Sequence, residues 1–130
     1  KMPDLWRSAT VEELIATSNL KSVALAPHSA SHRALDRLNQ VELHHEFTSP
    51  LEWFRTHGLP HEHMVAYPYG RWSPSVLAAA ERKGYVGGWL VSGGWTIPRS
   101  MNRFAMPRLN VPAGGSVPML MLRVAELLGS

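Results

Sequence analysis

Short continuous apolar runs alternate along the chain with longer mixed segments bounded by helix start and stop signals. Thr10-Val11-Glu12-Glu13 has capping-box spacing, so a short helix is predicted from about Val11 to Ser18. Ser22-Val23-Ala24-Leu25-Ala26 is an apolar run too short for a helix and reads as a buried strand. Asn39, with Glu42 three residues on, opens a second helix that continues toward His57-Gly58. Pro50 lies inside it and is predicted to break or kink it, because proline has no N–H for the helical ladder. Met64-Val65-Ala66-Tyr67 is a second buried strand, ended by Pro68-Tyr69-Gly70. Ser73-Pro74 supplies an N-cap with proline at the first helical position, and the helix Ser75 to Lys83 stops at Gly84. Tyr85 to Val91 and Met106 to Val111 are the last two strands, joined by a loop over residues 92–105. A closing helix follows Ser116, with Leu120, Val124, Leu127 and Leu128 on one face.

Alternating helices and short apolar strands predict the α/β class, with a parallel sheet or barrel and crossover helices. In such folds the ligand site gathers at the carboxyl ends of the strands. Pro27-His28-Ser29-Ala30-Ser31-His32 and Tyr67-Pro68-Tyr69-Gly70 both fall at such ends, which marks that rim as the candidate active face.

Composition narrows the chemistry. The 130 residues suit a single domain, residues 1–130, and 45% apolar with 18% charged residues is the profile of a folded chain. No apolar run is long enough to span a membrane, and Lys1 to Thr10 lacks the apolar stretch of a signal peptide. The net charge of +3 is scattered over Arg71, Arg82, Lys83, Arg99, Arg103 and Arg108 without interleaved aromatics, which argues against nucleic acid as a partner. The absence of cysteine excludes disulfides, thiolate zinc sites and a cysteine nucleophile, so a metal would be held by His, Asp and Glu. Aspartate occurs only at Asp4 and Asp36, so no Asp-Asp or Asp-x-Asp pair joins a metal ligand to a general base.

His28 and His32 have the spacing that, in one helical turn, points two imidazoles the same way toward a divalent metal. Read alone, such a pair is more often two exposed histidines near a helix start. Asp36 continues the spacing, but on one unbroken helix it would lie ~12 Å from His28 along the axis, which favours a capping or solvated role. His61 and His63 precede the strand that carries Tyr69 and are expected at the opposite rim, while His44 and His45 are expected on a helix surface. Trp72, Trp89 and Trp95 fall near strand ends or loops where an indole can stack on a sugar ring; Trp6 and Trp53 are expected to pack in the core.

Four segments in register carry a resemblance. His28-Ser29-x-Ser31-His32, Ala66-Tyr67-Pro68-Tyr69-Gly70, Lys83-Gly84-Tyr85 and Met106-Pro107-Arg108-Leu109-Asn110-Val111-Pro112 resemble, in order, motifs of the polysaccharide deacetylases, the NodB-homology family (carbohydrate esterase family four), over about residues 10–112. The resemblance implies a partial or truncated distorted (β/α) barrel and a metal-dependent hydrolase that removes acetyl groups from N- or O-acetylated carbohydrate, with simple esters as further substrates. It implies His28 and His32 as ligands of a divalent metal, zinc in most of the family, and the Tyr69 backbone N–H as an oxyanion donor. Tyr67, Pro68, Trp72 and Trp95 are the candidate substrate contacts, and Arg108 a structural ion pair or a support for the site. The chain departs from the family in three places. Its aspartate pair is expected upstream of Lys1, Ala66 stands where an arginine is usual, and no histidine follows His63 to protonate a leaving group. A catalytically incomplete relic that binds carbohydrate, or that self-associates to cover exposed sheet edges, is the alternative.

Overall fold

The computed structural model describes residues 8–93, 102–108 and 114–128. Helix α1 (Val11–Ser18) is held at its start by a reciprocal capping box: the Glu13 N–H donates to Thr10 Oγ1 at 3.2 Å and the Thr10 N–H to Glu13 Oε2 at 2.8 Å. Helix α2 (Gln40–Thr56) opens on a second box, with the Asn39 side chain accepting from the N–H groups of Val41 and Glu42. Helix α3 (Pro74–Arg82) starts from the Ser73 cap. It ends before Gly84, whose φ of +84° turns the chain out of the helix. Strands β1 (Met64–Ala66), β2 (Gly87–Gly93) and β3 (Met106–Arg108) pair in that order, all parallel. Helix α4 (Val117–Leu128) closes the described chain.

One face of the sheet carries the core. Val65 and Tyr67 alternate onto it and meet Leu43 and Phe47 of α2, Val76, Leu77, Ala79 and Ala80 of α3, and Leu35, Tyr85 and Phe104. Each fully buried large apolar side chain contributes on the order of 1.5–3 kcal/mol, so this face accounts for much of what orders the sheet and its two covering helices. The Tyr85 hydroxyl donates to the Phe47 carbonyl at 3.1 Å, satisfying its buried polar end. The Tyr67 hydroxyl is buried without a partner among the described residues and lies against Gly88, where a Cβ would fall 2.3 Å from it.

Three sequence expectations change. Pro50 does not break α2, which runs through it for 17 residues; neighbours on the ladder hold the helix where one N–H is missing. Residues 22–26 form no regular strand. Two backbone bonds tie this stretch and Pro27 to the segment that holds β1, Glu62 N–H to Leu25 O at 2.7 Å and Ala66 N–H to Pro27 O at 3.3 Å, and Pro27 has no N–H to return. The third strand begins at Gly87 rather than Tyr85, because Tyr85 turns into the core. Residues 109–111 of the last predicted strand lie outside the described residues.

Candidate functional site

The segment from Pro27 to His32 leaves the apolar run at the end of β1 where Pro68-Tyr69-Gly70 turns, so two loops face each other across the strand ends. It is a loop and not the helical turn its spacing suggested: Ser29 has φ +66° and His32 φ +56°, both left-handed. Left-handed backbone is unfavourable for residues other than glycine and persists only where surrounding bonds fix it. Here the fold reverses the chain tightly enough to bring the imidazoles of His28 and His32 together, ring centroids 4.8 Å apart and planes at 72°.

Each ring is anchored through Nδ1. His28 Nδ1 lies 2.6 Å from the carbonyl oxygen of Ala66, which can only accept, so the ring N–H sits on Nδ1 and the Nε2 lone pair is free. His32 Nδ1 lies 3.3 Å from the Tyr69 hydroxyl, and the two rings meet edge to face at 4.9 Å. Tyr69 is exposed and also left-handed, with φ 58° and ψ 8°; its backbone N–H meets no acceptor among the described residues. The turn is locked behind it by Gly70 N–H to Tyr67 O at 2.9 Å and Arg71 N–H to Pro68 O at 3.1 Å.

A residue that the sequence reading passed over lies beneath the histidine loop. Glu46 of α2 is 2% exposed. Its Oε2 accepts from the N–H groups of Ala30 and Ser31, both at 2.9 Å, and its Oε1 from the Ser31 hydroxyl. Burial alone would raise its pKa, but hydrogen bonds from Ser31, Ala30 and Ser29 outweigh it and hold the carboxyl below the usual glutamate range. The signal was present in the pattern: Glu46 stands on the stripe of Leu43 and Phe47, and an acid on an apolar stripe must find donors.

The remaining candidates divide. Tyr67 and Pro68 are fully buried, so they shape the turn from the core and do not offer a surface to a solute. Strand alternation explains this, since Tyr67 follows Val65 onto the covered face. Trp72 is exposed beyond the same turn, and Trp95 lies outside the described residues. Trp53, expected in the core, is 38% exposed and lines a cleft of about 410 Å³ with Pro27, His28, Pro50 and Phe54. Trp6 also lies outside the described residues. Asp36 is a surface ion pair rather than a cap: Arg71 grips it with Nε–Oδ1 at 2.8 Å and Nη2–Oδ2 at 2.7 Å, which lowers its pKa. Arg108 donates from Nε to the Leu90 carbonyl at 2.5 Å, tying β3 to β2. His61 and His63 stack on each other at 5.2 Å before β1, and His63 bonds the Gly84 carbonyl, at the rim away from Tyr69. His44 and His45 are exposed on α2.

The donor set offers two neighbouring imidazoles to a cation, that of His28 with its Nε2 lone pair free. No group of three His, Cys, Asp or Glu side chains placed to hold a metal occurs among the described residues, so a third ligand is not supplied by them. Nor is any helix among those residues long and apolar enough to cross a membrane.

Comparison with known proteins gives the family and the fold. The sequence profile of the family described as polysaccharide deacetylase matches residues 7–88. No curated protein matches. Among solved structures, BA0330 of Bacillus anthracis, assigned to the polysaccharide deacetylases, superposes with a TM-score of 0.80 at 18% identity, over 93% of this chain and 38% of that one. The Streptococcus pyogenes deacetylase PplD, solved in complex with acetate, gives a TM-score of 0.64 at 18% identity, over 75% of this chain and 42% of that one. The chain thus spans less than half the length of either structure and forms a sector of the (β/α) barrel fold they share.

Proposed function

The chain belongs to the polysaccharide deacetylase family, and from that premise we propose that it serves in metal-dependent removal of acetyl groups from N- or O-acetylated carbohydrate. One observation carries the reading: two imidazoles converge at 4.8 Å with His28 fixed through Nδ1 on a backbone carbonyl, the arrangement that leaves its Nε2 for a cation. His28 and His32 would hold a divalent cation, zinc being the first to test, whose chemistry there is to polarise the acyl carbonyl and lower the pKa of a water.

The other groups act around that point. The Tyr69 N–H, held in a locked turn and without an acceptor among the described residues, would donate to the oxygen that gains charge as the acyl carbon becomes tetrahedral. Trp72 offers an exposed indole face to a sugar ring. Asp36 and Glu46 are engaged, by Arg71 and by the histidine loop, so neither is offered as the third ligand or the base. Acetyl esters fit the same chemistry, because an activated water does not separate ester from amide sharply.

Zinc titration by calorimetry of the wild type beside His28→Ala/His32→Ala tests the site. Uptake of one zinc, lost in the double variant, is the expected result. Equal uptake by both, or none by either, overturns the metal site. Acetate release from an acetylated saccharide then tests the activity.

A second reading is favoured by the absence of a three-ligand set among the described residues: binding of carbohydrate, or of a second copy, without turnover. Saccharide affinity that survives chelation and His28→Ala would select it, and a monomer in light scattering would remove the self-association branch.

A further inference from the structure

We infer that Glu46 is the positioning residue of the histidine pair: its buried carboxylate fixes the loop from Ser29 to Ser31 in the one conformation that brings His28 and His32 together. The inference rests on the metal reading above for its purpose, and on geometry alone for its content. Glu46 stands in the middle of α2, a helix anchored by Leu43 and Phe47 in the core, so its carboxylate has a fixed position. The loop above it has no ladder partner of its own, and two of its residues, Ser29 and His32, are left-handed. Three donors from that loop converge on this single carboxylate: the N–H groups of Ala30 and Ser31 and the Ser31 hydroxyl. They come from between the two histidines, so the carboxylate fixes the middle of the turn while Ala66 O and the Tyr69 hydroxyl fix the rings on either side.

A carboxylate suits this place better than any neutral group. It accepts all three bonds without spending a donor, and charge-assisted bonds to backbone N–H are shorter and stronger than neutral ones. Burial of a charge on an apolar helix face is costly unless each oxygen is occupied, and both are. A packing role alone would be met by leucine or methionine at this position.

The test compares wild type with Glu46→Gln, Glu46→Met and Ser31→Ala, each as the full chain. Glutamine keeps the shape, accepts both amides through its oxygen and can donate to the Ser31 hydroxyl. Methionine keeps the volume and removes every bond. Zinc affinity of the folded protein should fall by about 10–100-fold in Glu46→Met, the range for loss of a group that orients ligands, and stay within about threefold in Glu46→Gln. Metal-free, Ala30 and Ser31 should lose amide-exchange protection in Glu46→Met, and the ring-to-ring NOE between His28 and His32 should vanish. A structural role would lower stability and leave these readouts of the folded fraction unmoved. Unchanged zinc affinity and unchanged protection in a folded Glu46→Met overturn the inference. If that variant does not fold, Ser31→Ala decides: a several-fold loss of affinity supports the role and an unchanged value overturns it. If wild type binds no zinc, the metal reading falls alone, and amide exchange with the NOE still decides Glu46.

Discussion

The Nδ1 atom of His28 lies 2.6 Å from the carbonyl oxygen of Ala66, a residue 38 positions away in sequence. The bond ties the histidine loop to the end of β1 and sets the tautomer, since a carbonyl can only accept. We expect the neutral His28 ring to carry its proton on Nδ1. Long-range proton–nitrogen NMR spectra above pH 8 should show that pattern for His28. A ring protonated at Nε2 would contradict the geometry.

Tyr67 buries its hydroxyl without a partner among the described residues. Removing an unpaired buried polar group relieves a desolvation cost, so Tyr67→Phe should leave stability unchanged or raise it by about 1 kcal/mol. Urea unfolding measures this. A loss of stability would reveal a hydroxyl partner.

Gly88 supplies the space that Tyr67 fills. A Cβ there would lie 2.3 Å from the hydroxyl and 2.6 Å from the ring carbon bearing it, and both groups sit in a packed core. Gly88→Ala should cost about 1–3 kcal/mol from overpacking, seen as a lower thermal midpoint. Tyr67→Phe should recover only part of it, because the ring carbon remains.

The Arg71 guanidinium holds the Asp36 carboxyl below its usual range, first through hydrogen bonding and then through charge. A carboxylate with a depressed folded pKa adds stability above its unfolded value, and that stability fades as pH falls through the folded value. Asp36→Asn should therefore flatten the decline of the urea midpoint below about pH 4, with only a small change at neutral pH because the pair is exposed.

Glu46 carries the same sign for a different reason. Burial works against its charge, and the bonds from the histidine loop outweigh burial. Its contribution is fully present above about pH 4.3 and is lost below it. Glu46→Gln should match the wild type more closely at acid pH than at neutral pH. A constant difference from pH 7 to pH 3 would mean that Glu46 does not titrate with unfolding.

The local signals were sufficient for the helices and for the rim. Thr10, Asn39 and Ser73 cap where the spacing of polar residues placed them, because capping depends on a side chain and an N–H two or three residues on. The strands after Pro60 were legible because their apolar runs are short and bounded by turn residues. The histidine motif and the Pro-Tyr-Gly turn were placed at strand ends by the same reasoning, and the family profile matches the region that holds them.

What the chain order alone could not give was anything that depends on a distant donor or acceptor. Spacing suggested a helical turn for His28 and His32, yet a loop with two left-handed residues brings them together, and the groups that fix it come from α2 and β1. Asp36 read as a capping or solvated acid, and its partner Arg71 lies 35 residues on. Tyr67 was a candidate substrate contact by its motif and is a core residue by its strand face. Sequence by itself determined which segments are helical, which are apolar, and that two histidines stand at the end of an apolar run. Only the tertiary structure decided where those histidines point, because a carboxylate and a carbonyl from remote elements complete hydrogen bonds that local periodicity cannot encode.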